Sequence, residues 1–165
     1  MLKPHYEQFA AYNCWANRRL YGEAERLPDE ARKRELGLFF RSLHGTLNHI
    51  LVADRIWLRR LTGEGPQPER LNQILFEDFS ALRDAREAED ARIVGLVNGL
   101  TEADLAGTFE YRTIAGKAHV QRRADTLAHF FNHQTHHRGQ AHAALTILGV
   151  PEPAPLDLLA MQRAG

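Results

Sequence analysis

The chain has 165 residues, of which 21 are Lys or Arg and 21 are Asp or Glu, so its formal net charge at pH 7 is zero. This length suits one domain, which we expect to span residues 1–165, and the balanced charge gives no electrostatic case for a nucleic-acid surface, whose affinity depends on basic residues. The single cysteine, Cys14, fits a reducing compartment, and since neither a secretion signal nor an apolar run of roughly 18 residues is present, we expect a cytoplasmic protein with no membrane or nucleic-acid partner.

The first two predicted helices lie near residues 5–27 and 39–62. Apolar residues recur at steps of three and four residues in both segments, which is the period of an amphipathic helix. Pro28 ends the first helix, and a polar linker follows it. Phe40 begins the apolar stripe of the second helix, and the glycines and proline of residues 63–66 end that helix.

The third and fourth predicted helices lie near residues 78–100 and 124–148. Between them, residues 101–104 resemble the capping box of a short turn, and the alternation of polar and apolar residues at 107–123 indicates a short hairpin or an extended loop. Gly149 suits the position after the last helix. Four amphipathic helices of this length predict an all-α fold, a four-helix bundle with a short irregular or hairpin insert before the last long helix.

The strongest chemical signal lies inside the fourth predicted helix, in the run from His133 to Gln140. His133 and His137 are four residues apart, so both imidazoles leave the same helix face about one turn apart. Two neutral imidazoles at this spacing can hold one metal ion, but they do not complete its coordination. A third ligand is therefore expected from another helix.

Two histidines of the second predicted helix are candidates for that third ligand. His44 and His49 are five residues apart, which turns them roughly 140° from each other on a helix, so both cannot face one site. His49 lies on a flank of small side chains that lets another helix approach, whereas His44 is expected to be partly exposed. We therefore predict His49, His133 and His137 as the metal ligands.

Simpler explanations for these histidines stay open at this point. A lone histidine on a helix is usually a surface residue or a hydrogen-bonded core residue, and a pair four residues apart is a weak signal by itself.

The three predicted ligands also differ from two known types of metal site. Gln134 stands where a zincin protease needs a glutamate base, and Asp54 is five residues from His49 on another face, which disfavours a site of two histidines and one carboxylate.

Four further residues are assigned to the surroundings of the site. His129 is one turn before His133 and either supports a ligand or simply packs, and Gln140 returns to the metal face, where its amide can bond a ligand or bound water. Asn13 and Asn17 lie on the inward stripe of the first helix, so they either line the pocket or pack against other polar groups. No catalytic residue is assigned.

Three other residues receive structural roles. Arg138 lies about 140° from His133 around the helix, so we predict an ion pair or a helix-end contact for it. Gly139 lowers helix stability by about 1 kcal/mol relative to alanine, and we predict that it permits a close approach of another helix. Trp57 is assigned to the core or an interface rather than to a substrate platform.

His49, the run from His133 to Gln140 and the stretch from Tyr12 to Asn17 resemble the DinB (DNA-damage-inducible, YfiT-like) family. The similarity covers nearly the whole chain, from Tyr6 to Asp157. It implies a four-helix bundle in an up-down-down-up arrangement, often dimeric, and one divalent metal ion held by three histidines, which here are the three ligands predicted above. Zinc and nickel are both frequent in the family.

The resemblance also implies candidate functions. Related proteins transfer thiols such as bacillithiol, mycothiol or glutathione, some are classed as hydrolases, and many have no assigned substrate. Our leading hypothesis is a metal-dependent enzyme that transfers a low-molecular-weight thiol to an electrophile, because thiolate attack needs no general base. The alternatives are a hydrolase that uses metal-bound hydroxide and a non-catalytic, stress-associated metal-binding protein. A homodimer is expected, since the second helix is apolar on more than one side.

Overall fold

A computed structural model of the chain describes residues 1–164 and is mostly helical, with one small antiparallel sheet. In chain order the elements are α1 (Lys3–Glu25), α2 (Asp29–Lys33), α3 (Leu43–Thr62), α4 (Phe79–Gly99), α5 (Glu102–Ala106), β1 (Thr108–Arg112), β2 (Ala118–Arg122), α6 (Arg123–Ile147) and α7 (Leu158–Ala164). The predominance of helix and the hairpin before the last long helix are confirmed. Within the described residues, no helix is both long and apolar enough to cross a membrane.

The start of α3 differs from the prediction. Arg41 has a φ of 70°, in the left-handed region that a right-handed helix cannot contain. Ser42 is extended, and its hydroxyl accepts a hydrogen bond from the Gly45 amide at 3.0 Å, which satisfies one free donor of the first turn. The helix therefore begins at Leu43, and the prediction that Phe40 lies in the helical stripe is wrong.

The four long helices pack in a ring, in which α1 and α3 each contact both α4 and α6. Two apolar clusters fill the interior at opposite ends of these helices. The first contains Leu20, Tyr21, Ala24, Leu43, Leu47, Leu51, Phe79, Leu82, Ala141, Ala144 and Leu145. The second contains Tyr6, Ala10, Leu58, Ile93, Val97, Leu105, Ala124, Leu127, Phe130 and Phe131.

A buried polar layer separates the two apolar clusters. The Arg86 guanidinium of α4 pairs with Asp54 of α3 at 2.5 Å and with Asp90 of α4 at 3.0 Å, and none of the three residues is more than 2% exposed. From α1, the Asn13 and Asn17 amides donate to Asp90 at 3.2 and 2.9 Å. Asn13 and Asn17 thus pack against other polar groups rather than among the predicted metal ligands.

The fourth long helix adds two more side chains to this layer. The Gln134 amide donates to Asp54, and the Arg138 guanidinium donates to Asn13 and, at 3.2 Å, to Gln134. The predicted ion pair or helix-end contact of Arg138 is therefore wrong, because its hydrogen-bond partners are neutral side chains in the middle of the molecule. A methyl group at Gly139 would meet nothing within 4 Å, so the predicted close helix approach there is wrong as well.

The β1–β2 hairpin lies against α3. Its register pairs Thr108 with Arg122 and Arg112 with Ala118. The ring of Tyr111 on β1 packs edge-on against Trp57 of α3, with centroids 5.3 Å apart. The hairpin thereby forms one wall of a cleft whose other wall is the C-terminal half of α3.

Candidate metal centre

Three imidazoles from two helices converge in the structure. His49 comes from the middle of α3, and His133 and His137 come from successive turns of α6. One ring nitrogen from each lies within 4.8 Å of the others. Of the two alternatives on α3, His49 is therefore the histidine that the fold brings to the pair on α6.

His44 lies outside this cluster. Its Nε2 atom is 2.9 Å from the backbone oxygen of Phe76, and the residue is only 3% exposed. The prediction of partial exposure is wrong, because the loop before α4 covers this face of α3. The carbonyl contact and the burial make His44 a hydrogen-bonded core residue.

Hydrogen bonds to the Nδ1 atoms determine how the imidazoles present their lone pairs. His49 Nδ1 is 2.7 Å from the backbone oxygen of Leu71, and His137 Nδ1 is 2.8 Å from the side-chain oxygen of Gln140. Each oxygen only accepts, so each Nδ1 carries the proton and donates it. The Nε2 atoms of both rings are then left with free lone pairs, as a metal ligand requires.

The spacing of one nitrogen pair fits a tetrahedral ion. His49 Nε2 and His133 Nε2 are 3.3 Å apart. Two nitrogens bound to one zinc ion at about 2.0–2.1 Å and at the tetrahedral angle lie about 3.3 Å apart. Imidazole nitrogens also suit zinc and nickel, so the donor atoms and their spacing both fit the predicted ion.

Electrostatics keep the three imidazoles neutral. Burial, together with repulsion from the neighbouring histidines, lowers the pKa of His49 to about 4 and that of His133 to about 3. Burial also lowers the pKa of His137. At neutral pH all three rings are therefore unprotonated, which is the form that binds a metal ion.

Phe40 covers the cluster from one side. Its ring lies parallel to that of His49, with centroids 3.7 Å apart and planes 14° apart, and it meets His137 edge-on at 5.5 Å. The left-handed Arg41 turns the chain so that Phe40 reaches this position. Sequence reasoning missed this contact, although Ser42, a favoured N-cap residue, was a signal that the helix begins after Phe40.

On the opposite side the cluster opens into a cleft. His129 lies in this cleft, with its ring centroid 6.0 Å from that of His133 and 5.3 Å from that of Trp57. The cleft is lined mainly by apolar side chains beside the histidines: Ala53, Ile56, Trp57, Leu71, Ile114 and Ala115. Trp57, assigned to the core from sequence, thus also lines the opening of the site.

Among the described residues, the cluster contains no carboxylate. Asp54 is held in the polar layer by Arg86 and Gln134, and the Gln134 side chain is directed to that layer as well. A divalent ion held by the three imidazoles would therefore keep its full charge, which favours an anionic ligand such as a thiolate or a hydroxide.

Comparisons with known proteins identify the family of the chain. The model of the DinB family matches residues 1–164. The protein DinB of Bacillus subtilis (strain 168) is 25% identical over 155 residues, which cover 88% of this chain and 87% of that protein. The crystal structure of a DinB-like protein from Bacillus cereus ATCC 10987 superposes with a TM-score of 0.70 at 19% identity, over 91% of this chain and 95% of that one. The chain belongs to the DinB family.

Proposed function

We propose that this protein binds one divalent metal ion, zinc or nickel, through His49, His133 and His137, and that it transfers a low-molecular-weight thiol to an electrophile in the cytoplasm. The observation that carries the proposal is the convergence of three neutral imidazoles beside a cleft that two of them, His49 and His133, line. Three protein ligands leave a coordination position free, which is the property of a catalytic rather than a structural site.

The bound ion would supply a positive charge that lowers the pKa of a thiol and favours its thiolate. The chain's own residues prepare this site. Leu71 and Gln140 fix the tautomers of His49 and His137. Phe40 excludes water from one face of the cluster, and the apolar cleft leaves the other face open to a small organic molecule.

Hydrolysis by a metal-bound hydroxide is the alternative within the same site. Hydrolysis receives less support because it would benefit from a general base. The acidic residue nearest to His49 in sequence, Asp54, is held by Arg86 in the buried polar layer and cannot reach the cleft. Thiol transfer needs no such base. A non-catalytic metal-binding role requires only the histidines and predicts no turnover.

The experiment that tests the function is a thiol screen with metal-loaded protein. Monochlorobimane serves as a generic electrophile, and cysteine, glutathione and coenzyme A serve as thiols. Conjugate formation above the protein-free rate, lost on chelation and in His137→Ala, supports transfer. Equal rates with and without metal for every thiol contradict transfer, and hydrolysis of a generic ester would then favour the alternative.

We further infer that the four long helices form the up-down-down-up bundle expected from the family. Support comes from the ends that share a core cluster. The cluster that contains the C-terminal ends of α1 and α6 also contains the N-terminal ends of α3 and α4, and the second cluster contains the opposite ends. This arrangement makes α1 parallel to α6, and α3 parallel to α4 in the opposite direction.

A homodimer remains a separate proposal. The two apolar flanks of α3, which motivated it, are covered within the chain, since Leu47, Ile50, Val52 and Ala53 are all buried. Exposed apolar side chains on other elements, such as Val120 and Ile147, provide the remaining support. Sedimentation velocity at micromolar concentration tests the proposal, and a monomer alone would contradict it.

A further inference from the structure

The cleft beside the histidines continues past them along α3. One cavity is lined by His49 and His133, and the next is lined by Arg59 and Arg112. The two cavities share four lining residues: Ile56, Arg60, Thr113 and Ile114. The two cavities therefore adjoin each other in the cleft between α3 and the hairpin, with His49 and His133 lining one of them and Arg59 and Arg112 the other.

The far part of this cleft is positively charged. Arg59 donates to the backbone oxygen of Gly65 at 2.7 Å, and Arg112 donates to that of Gly116 at 3.0 Å, so neither charge is neutralised by a carboxylate. Neither cavity has an acidic residue in its lining. An anion in this cleft therefore meets a favourable potential, which low-dielectric walls strengthen.

Arg60 is the cationic side chain nearest the histidine end. Its guanidinium lies over the ring of Trp57, 4.5 Å from the centroid, and 5.0 Å from the centroid of Tyr111. No acidic side chain among residues 1–164 pairs with it. The two rings hold the half-buried guanidinium by their faces, and its hydrogen-bond donors stay available to a molecule in the cleft.

The distance between the two ends indicates the size of that molecule. His49 and Arg60 are eleven residues apart on one helix face, so their Cα atoms are separated by about 16 Å along the axis. Long helical side chains lean toward the N-terminus, which brings the guanidinium closer to the histidines. A ligand that reaches from the histidines to Arg60 spans on the order of 10 Å. Its middle part would lie against Ala53 and Ile56, which are apolar.

We propose that Arg60 binds a carboxylate of the thiol substrate, and that the substrate is an elongated organic anion with its sulfur at the histidine cluster and its carboxylate near the hairpin. The inference rests on the proposed function, because the thiol sulfur is the group that the metal site would hold. Arg60 is then a specificity-determining residue of the cleft.

Two-ended probes test this proposal by direct binding. Cobalt-loaded protein is titrated with four mercapto-acids of increasing length: mercaptopropionate, mercaptohexanoate, mercaptooctanoate and mercaptoundecanoate. The mercapto-alcohols of the same chain lengths are titrated in parallel. The absorption spectrum of cobalt reports thiolate binding. We expect the acid to bind roughly tenfold more tightly than the alcohol at the longer chain lengths, as a charge-assisted hydrogen bond provides. At the shortest length the difference should vanish, because the carboxylate cannot reach Arg60.

Two variants test whether Arg60 causes the preference for the acid over the alcohol. Arg60→Met keeps an apolar stem against Trp57 and Tyr111 and should bind acid and alcohol equally. Arg34→Ala removes the same charge from an exposed position outside the cleft and should retain the preference. If acid and alcohol thiols bind the wild-type protein equally at every length, the anion site is overturned while thiol binding stands. If no thiol changes the spectrum, the proposed function and this inference both fail.

Discussion

The ring of Phe40 lies parallel to the imidazole of His49, 3.7 Å away between centroids, although the two residues belong to different local structures. Phe40 precedes the N-cap Ser42, whereas His49 lies inside α3. The contact therefore links the start of the helix to the orientation of a proposed ligand. It also shields that ligand from water on the face opposite the cleft.

Replacing Phe40 tests this link. Phe40→Ala should weaken metal affinity by up to about tenfold, because an aromatic contact of this kind contributes roughly 0.5–1.5 kcal/mol. Phe39→Ala is the matched control, since Phe39 is 85% exposed and meets the edge of Phe40 rather than His49, so it should change the affinity much less. Competition with a chromophoric chelator measures both constants. Equal affinities for the two variants would show that the stacked ring does not support the site.

The Gln140 side chain should increase metal affinity, because its oxygen keeps the proton of His137 on the Nδ1 atom. Gln140→Leu removes the oxygen that accepts from His137 Nδ1, and loss of such an outer hydrogen bond typically lowers metal affinity by about 10- to 100-fold. His136→Ala removes a neighbouring imidazole that contacts the Gln140 amide nitrogen at 3.2 Å and the edge of the His137 ring at 4.7 Å between centroids, but that leaves the hydrogen bond to His137 Nδ1 intact, so it should have a smaller effect. Calorimetric titration with zinc distinguishes the two, and an unchanged affinity in Gln140→Leu would refute the role.

Sequence periodicity predicted the long helices well because each one has a single continuous apolar pattern and a clear stop. It misplaced the start of α3, where Phe40 and Leu43 are in step with the helix although Arg41 is left-handed. The left-handed backbone conformation of Arg41 does not change the spacing of apolar residues in the sequence, so periodicity cannot detect it. The N-cap residue Ser42 was the only local signal against it.

The convergence of His49, His133 and His137 was predictable because both criteria, the spacing of two histidines on one helix and the small side chains beside the third on another, can be evaluated within single helices. The polar layer was not, because its pairs join residues far apart in sequence. Asp90 and Arg86 of α4 meet Asn17 of α1 and Asp54 of α3 only once the helices pack. The same dependence on tertiary contacts explains why the burial of His44 was not anticipated.

The polar layer should be important for stability. Arg86→Met leaves Asp54 and Asp90 buried without their cation, and breaking such a pair typically destabilises a protein by about 3–5 kcal/mol. Arg83→Met on the same helix removes only surface pairs, with Glu25 and Asp84, and should change the free energy of unfolding by less than about 1 kcal/mol. Urea unfolding measures both. Similar midpoints for the two variants would contradict a structural role of the layer.

His44 should make stability depend on pH. Burial lowers its pKa below the ordinary value of 6.5 and Lys33 acts in the same direction, whereas the hydrogen bond to the Phe76 backbone oxygen and the charges of Glu77 and Asp29 oppose this shift. A group with a depressed folded pKa takes up protons preferentially in the unfolded state, so its contribution is complete above pH 6.5 and is lost as the pH falls toward the folded pKa.

His44→Gln removes this titration while its amide can still donate to the Phe76 oxygen. The free energy of unfolding of metal-free protein should therefore fall less steeply between pH 7.5 and pH 5 in the variant than in the wild type. Because one proton is involved, the two slopes can differ by at most about 2.3 RT per pH unit. Urea titrations at several pH values measure the slopes. Identical slopes would show that His44 titrates equally in both states.

The metal stoichiometry of the protein tests most directly whether His49, His133 and His137 hold one divalent ion. Metal-stripped protein is reloaded with zinc or nickel, freed of excess metal and measured by elemental analysis. We predict one ion per chain for the wild type and for His44→Gln, and a large loss in His49→Ala, His133→Ala and His137→Ala, each folded by circular dichroism. A wild type without bound metal, or variants of the three histidines that retain a full equivalent, would contradict the account.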